Sequence, residues 1–184
     1  RRFSPHARKV AEVLAKRTNP AILNYRMNAG HIPGDHWVHG PMGGGRNIGE
    51  ACHIYDLFTY LTSSRVIDVA VKSIQPTTDF YRADDNFVAT MTFECGSVAN
   101  LTYTALGDSS YQKERMDVFC DGRVFELDDY QALTIHGTKT EKHTLKLADK
   151  GHMEELRTFA KAIKVGGEWP IPLWQQLQAM DISF

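Results

Sequence analysis

The sequence has no long apolar run, no excess of either charge and almost no cysteine, and each shortage removes a class of function. No stretch approaches the roughly 18 consecutive apolar residues that a membrane span needs. Arg1-Arg2-Phe3 opens the chain without the apolar segment of a secretory leader. The formal net charge is −1 with both signs interspersed, whereas nucleic-acid and membrane-surface binders concentrate Lys and Arg, so no such partner is expected. Cys52, Cys95 and Cys120 are odd in number and scattered, which suits neither a disulfide framework nor a zinc site. A reducing cytoplasm is the compartment this usage fits. There is also no internal repeat, low-complexity run or linker. The chain therefore reads as a single domain over residues 1–184, and its 42% hydrophobic content is enough for a core of its own. It carries no initiator Met and stops at Asp181-Ile182-Ser183-Phe184 within a helical pattern. The expectation is a domain excised from a longer chain.

The elements follow from caps, periodicity and turns. Ser4-Pro5 is a helix start, and Val10, Val13 and Leu14 space as one apolar face to about Arg17. Asn19-Pro20 ends it. Ala21–Met27 alternates as a strand, with Leu23, Tyr25 and Met27 on one face. A long loop, Asn28 to Gly44, carries His31, His36, Trp37 and His39; loops of this length in compact domains are usually functional or disordered. A helix over about Gly45–Thr62 should bury Ile48, Ala51, Cys52, Tyr55, Phe58 and Leu61. The remainder is mostly β. Strands are expected at Val66–Ile74, Asn86–Glu94, Ser97–Ala105, Glu114–Cys120, Arg123–Leu127, Ala132–His136 and Thr140–Lys146, joined by turns such as Cys95-Gly96 and Asp121-Gly122. Tight turns between consecutive strands imply antiparallel pairing. Thr90, Thr92, Thr102 and Thr104 alternate with apolar residues, giving one core face and one polar face that is wet or pairs with a second subunit. Gly151–Val165 reads as a helix with Met153, Leu156, Phe159, Ala160 and Ile163 inward, and a last helix begins at Leu173.

Chemistry concentrates in Pro41–Tyr60. Gly43-Gly44-Gly45 runs directly into a helix whose first turns hold Glu50, His53 and Asp56. Gly43, Gly45 and Gly49 with Asp68 imitate a dinucleotide fingerprint, but no buried strand precedes the glycines and no βαβ unit surrounds them. A glycine turn that lets the helix start approach another surface fits better. His53 suits proton transfer near neutral pH, against the alternative of a hydrogen-bonded core histidine. Glu50-x-x-His53 with His31, His36 and His39 could be drawn as a metal shell, but a metal-binding helix normally faces a second such motif and none is present, so no metal is expected. No serine or cysteine sits in a nucleophile elbow. Cys52 lies on the apolar face, and His136, His143 and His152 converge on nothing.

Gly43-Gly44-Gly45, His53 eight residues after the last glycine, and Asp56 three further on resemble the C-terminal domain of the Gfo/Idh/MocA family of NAD(P)-dependent sugar and cyclitol dehydrogenases. Arg1-Arg2-Phe3-Ser4-Pro5-His6 resembles the junction at which the family's last Rossmann strand passes into this domain, and the order of strands and helices agrees along the whole chain. Gly-Gly-Gly-Arg-Asn-Ile-Gly-Glu-Ala-Cys-His is similar to a bacterial subgroup. The resemblance implies a Rossmann domain elsewhere that binds NAD or NADP, hydride transfer from a CH–OH group, and His53 as the group that takes the hydroxyl proton. One departure stands out: the family carboxylate belongs at position 49, which is Gly49, with Glu50 beside it.

The expectation is therefore an α+β domain, a mostly antiparallel open sheet with helices on one face, of the GAPDH-like C-terminal type that the family implies. It would form the substrate and oligomerisation half of a dehydrogenase acting on a sugar, cyclitol or nucleotide-sugar. His53 and Glu50 are the catalytic candidates. Asn28, His36, Trp37, Arg46 and Asn47 are candidate substrate contacts, Arg46 toward an anionic group, and Gly43, Gly44 and Gly45 would face the cofactor-binding domain. The chain alone is not expected to bind NAD or to turn over substrate; homo-oligomerisation would use the open sheet face. The rival readings are an inactive sugar-binding scaffold and a dimerisation module of the same fold.

Overall fold

One eight-stranded sheet organises the domain. The computed structural model describes residues 1–184. The strands are β1 (Ile22–Asn28), β2 (Val66–Ser73), β3 (Phe87–Phe93), β4 (Val98–Thr104), β5 (Glu114–Cys120), β6 (Arg123–Asp128), β7 (Ala132–His136) and β8 (Glu141–Thr144). Their order is β2-β3-β4-β1-β5-β6-β7-β8. Every neighbouring pair is antiparallel except β1 with β4. A parallel neighbour needs a long crossover, here supplied by the loop after β1, a helix and the β2–β3 hairpin. The sheet is thus mostly antiparallel, as the turns imply, and its centre is a strand inserted between two antiparallel groups.

The alternation read from β1 holds: Leu23, Tyr25 and Met27 are buried while Ile22 and Asn24 are exposed. These side chains meet α1 (Pro5–Leu14) and α2 (Cys52–Thr62) in one core with Val10, Leu14, Ile54, Leu57, Phe58 and Ala179. Each large aliphatic buried there is worth about 1.5–3 kcal/mol. Ser4 caps α1 by accepting the Ala7 amide at 3.0 Å. The opposite sheet face is polar and laced sideways: Asn100 donates to Asn24 at 3.0 Å and accepts from Thr90 at 2.8 Å.

Two expectations change. The helix expected from Gly45 to Thr62 opens with a π turn at Asn47–Ala51 before α2 begins at Cys52. Ala51, Tyr55, Phe58 and Leu61 are buried as expected, Ile54 and Leu57 join them, and Ile48 and Cys52 beside the π turn are only half-buried. Two local causes of that turn are visible: Gly49 has no side chain to pack, and the Glu50 carboxylate is drawn to partners on other elements. The second change is α3 (His152–Val165), none of whose residues is buried. Met153, Leu156, Phe159 and Ile163 are 46–64% exposed, so the predicted inward stripe faces away from this core. The last helix, α4 (Leu173–Ser183), does pack on α2: Gln178 donates to Thr59 Oγ1 at 2.9 Å, and its Oε1 accepts the Val66 amide at 3.0 Å.

Candidate functional site

The N-terminal segment lies along α2 because Arg2 is bound there. Its guanidinium donates to both Asp56 oxygens, Nε to Oδ2 at 2.8 Å and Nη2 to Oδ1 at 2.6 Å, and Nη1 donates to Gln175 at 2.6 Å. A bidentate pair of this kind fixes orientation as well as charge. Arg1 is held one residue earlier by the buried Glu114, at 2.9 Å, which also accepts from Tyr25 and Lys150. α3 starts against the same segment. Gly151 has φ +86°, and a Cβ there would stand 2.3 Å from the Phe3 carbonyl carbon, so only glycine allows this approach.

These elements enclose a cleft of about 160 Å³ with His53 on its wall, alongside Arg1, Arg2, Cys52, Asp56 and Glu155. A larger groove of about 450 Å³ between α1 and β6–β8 is lined mainly by lysines, glutamates and Arg123, and contains none of the candidate residues. The His53 side chain is exposed, and the protein packed along one side of its ring lowers its proton affinity by partial desolvation. The positive charge of Arg1 lowers it further, against the opposing pull of Asp56 and Glu155. The neutral imidazole is favoured, and that form accepts a proton. Asp56 is committed to Arg2, so its contribution to the cleft is positional.

Glu50 lies outside this cleft. Its carboxylate accepts from Arg46 Nη2 at 3.0 Å, from Lys113 Nζ at 3.0 Å and from the Tyr103 hydroxyl. Burial pulls its acidity one way, but these three donors outweigh it and hold the carboxyl at about 2. A carboxylate with that affinity stays ionised at neutral pH and is a poor base. It ties the π turn to β4 and to the start of β5. Glu50 and His53 are therefore not brought together.

The other sequence candidates divide between structural ties and exposed loop positions. Arg46 is 3% exposed and tied within the fold: besides Glu50 it donates to Gly30 O at 2.6 Å and Ala29 O at 3.0 Å, and it lies over the Tyr103 ring. Asn47 donates to Ser183 O at 2.8 Å and accepts from Tyr55 at 2.7 Å. Asn28 donates to the carbonyls of Asp108 and Tyr111, clamping the loop before β5. His36 caps the short 3-10 turn Trp37–His39 by accepting the Val38 amide, and Trp37 is 67% exposed. Gly43 approaches this chain's own Val38 backbone, where a Cβ would clash at 2.4 Å. Gly44 and Gly45 have positive φ, and nothing stands near a Cβ on Gly45. His31, His36 and His39 do not converge. His31 stacks on Phe80, and His39 faces Asp85 at 3.7 Å with both side chains almost fully buried. No group of three or more His, Cys, Asp or Glu side chains is placed to hold a metal.

Tyr103, Lys113, Arg2 and Glu155 escaped the sequence reading. The first two act on Glu50 from 53 and 63 residues away, a distance at which no local pattern reports. Arg2 lay inside the junction motif, but its partner Asp56 could not be read from it.

Comparison with known proteins gives the same architecture. Residues 19–140 match the GFO/IDH/MocA C-terminal domain family. No curated protein matches by sequence. Among solved structures, a UDP-N-acetylglucosamine 3-dehydrogenase, GnnA, from Acidithiobacillus ferrooxidans superposes with a TM-score of 0.78 at 21% identity, covering 99% of this chain and 56% of that one. An oxidoreductase domain protein from Kribbella flavida gives 0.78 at 15%, covering 99% and 60%. An oxidoreductase from Agrobacterium radiobacter in complex with NAD+, L-tartaric acid and magnesium gives 0.71 at 11%, covering 99% and 58%. At these identities the likeness is one of fold. The chain spans little more than half the length of the structures it matches.

Proposed function

The chain belongs to the GFO/IDH/MocA family as a C-terminal domain, and from that premise we propose that it is the substrate half of an NAD- or NADP-dependent dehydrogenase acting on a CH–OH group of a sugar, cyclitol or nucleotide-sugar. The observation that carries the reading is His53, a histidine biased toward its neutral form on the wall of an open cleft, at the position of the family motif. A neutral imidazole takes the proton from a substrate hydroxyl as the carbon beneath it gives up hydride. Nicotinamide, when bound, supplies the hydride acceptor. This chain's part is to position His53 through the Arg2–Asp56 clamp and to offer the cleft around it, walled by Phe3, Ile171 and Met180 as well as by charged groups.

The residues here fit a supporting role toward that cofactor. The glycine turn follows a 3-10 turn and precedes a π turn, with no strand leading into it, so the chain has no dinucleotide fold of its own. A Rossmann domain outside these residues would bind the cofactor. The uncovered apolar stripe of α3, continued by Trp169 against Phe159, supports the existence of a further packing partner. The open sheet face, with Ile22, Val88 and Phe119 exposed among the polar ladders, is the surface for a second copy.

The second reading, a binding domain without turnover, draws on Gly49 and on the saturation of Glu50. One experiment separates the two. The protein with its cofactor-binding domain is incubated with NAD or NADP and a panel of sugars, cyclitols and nucleotide-sugars, and nicotinamide reduction is followed. Reduction with a member of the panel supports the dehydrogenase; saturable binding of cofactor and sugar with no reduction overturns it in favour of the scaffold.

A further inference from the structure

The cleft holding His53 is lined by two carboxylates, Asp56 and Glu155. Asp56 has both oxygens in the Arg2 guanidinium. Glu50, the acid nearest to position 49 in sequence, is turned away and bonded to three donors. Glu155 makes no ion pair and no side-chain hydrogen bond, although its neighbour Glu154 pairs with Arg8 at 3.2 Å. Its place is fixed by the fold, because α3 begins at Gly151, whose close approach to Phe3 admits no side chain, and the Glu155 amide closes the first helical turn on the Gly151 carbonyl at 2.9 Å.

We propose that Glu155 is the positioning carboxylate of the His53 site, supplying from α3 the negative charge that position 49 lacks. When His53 takes the hydroxyl proton, its ring becomes a cation near Arg1, while the Arg2–Asp56 pair cancels itself. An unpaired carboxylate facing the same small space is the group that offsets the new charge, much as a buried acid supports a protonated histidine in acid–base catalysis. The proton stays on the imidazole, and Glu155 neither gains nor loses one. The charged groups lining the cleft with His53 are Arg1 and Arg2 from the N-terminal segment, Asp56 from α2 and Glu155 from α3, and the Cys52 thiol beside them is neutral. The catalytic consequence rests on the dehydrogenase reading, but the electrostatic one does not.

The test is an NMR titration of the His53 ring in the 184-residue chain, assigned with a His53→Asn variant. Glu155→Gln removes a negative charge from the cleft, so the His53 midpoint should fall by roughly half a pH unit. Glu155→Asp should keep it near the wild-type value. Glu154→Gln, one residue away but paired with Arg8, should leave it unmoved. Glu155 is exposed and unpaired, so these variants should fold, which the dispersion of the same spectra reports. A midpoint unchanged in Glu155→Gln, or shifted as far by Glu154→Gln, overturns the proposal. In the protein with its cofactor-binding domain, the acid side of the pH profile gives a second readout: the limb that follows His53, along which activity falls as the ring protonates, should move to lower pH in Glu155→Gln. A protein without turnover would sink the dehydrogenase reading and leave the NMR result to decide on Glu155.

Discussion

Replacing Glu50 by Gln should cost stability at neutral pH and cost progressively less in acid. The side chain is 22% exposed and bonds Arg46, Lys113 and Tyr103. Its carboxyl sits at about 2 against an ordinary 4.5. That gap is worth roughly 3 kcal/mol at about 1.4 kcal/mol per pH unit, and solvent screening of the Lys113 bond reduces it to about 2–3 kcal/mol. The sign follows from the direction of the shift. A carboxyl with lowered affinity in the folded state contributes its full stabilisation above about pH 4.5 and loses it as pH falls toward 2. Gln keeps the shape but not the charge and leaves Arg46, almost wholly buried, without its counter-ion. Urea unfolding followed by circular dichroism, at a series of pH values from 7 downward, measures the difference between wild type and variant. Other carboxylates with lowered affinity, such as Asp121 and Glu126, titrate in both proteins and cancel. The expected difference is about 2–3 kcal/mol at pH 7, shrinking toward zero near pH 2. A difference below about 0.5 kcal/mol at pH 7, or one of constant size across the range, would refute the assignment of Glu50 as a structural anion.

Arg2→Leu should destabilise the chain by about 3 kcal/mol, because it leaves Asp56 and Gln175 without a donor in a largely buried setting; chemical unfolding checks this, and the same variant should disturb the His53 ring resonances while Arg8→Leu does not. Gly151→Ala forces a Cβ into the Phe3 backbone at positive φ, so a loss of about 2 kcal/mol or more, seen as a lowered melting temperature, is expected.

The β elements were readable because their signals are local. Asp121-Gly122 adopts the positive φ pair expected of a tight hairpin, and β3 buries alternate residues from Phe87 to Phe93. The central place of β1 was not, since a strand flanked by a helix and a long loop carries no mark of its neighbours. His53 and Asp56 were legible through their short spacing from the glycines. The partners of Glu50 are not legible in the sequence, because Tyr103 and Lys113 approach it from β4 and from the loop before β5. Arg46 looked available for an anion for the same reason: its acceptors Ala29 and Gly30 lie across a loop, and sequence pattern does not count carbonyls. α3 has an inward-looking stripe by periodicity, and periodicity does not say which surface covers it.

The most direct test of the account is the effect of His53→Ala on hydride transfer by the protein with its cofactor-binding domain, measured as nicotinamide reduction with a substrate drawn from the panel. Loss of a positioned proton acceptor should lower turnover by about 10²–10⁴-fold with little change in the unfolding midpoint, since His53 is exposed and bonds no other side chain in the fold. Turnover within a few-fold of wild type would contradict the account by removing His53 from the reaction.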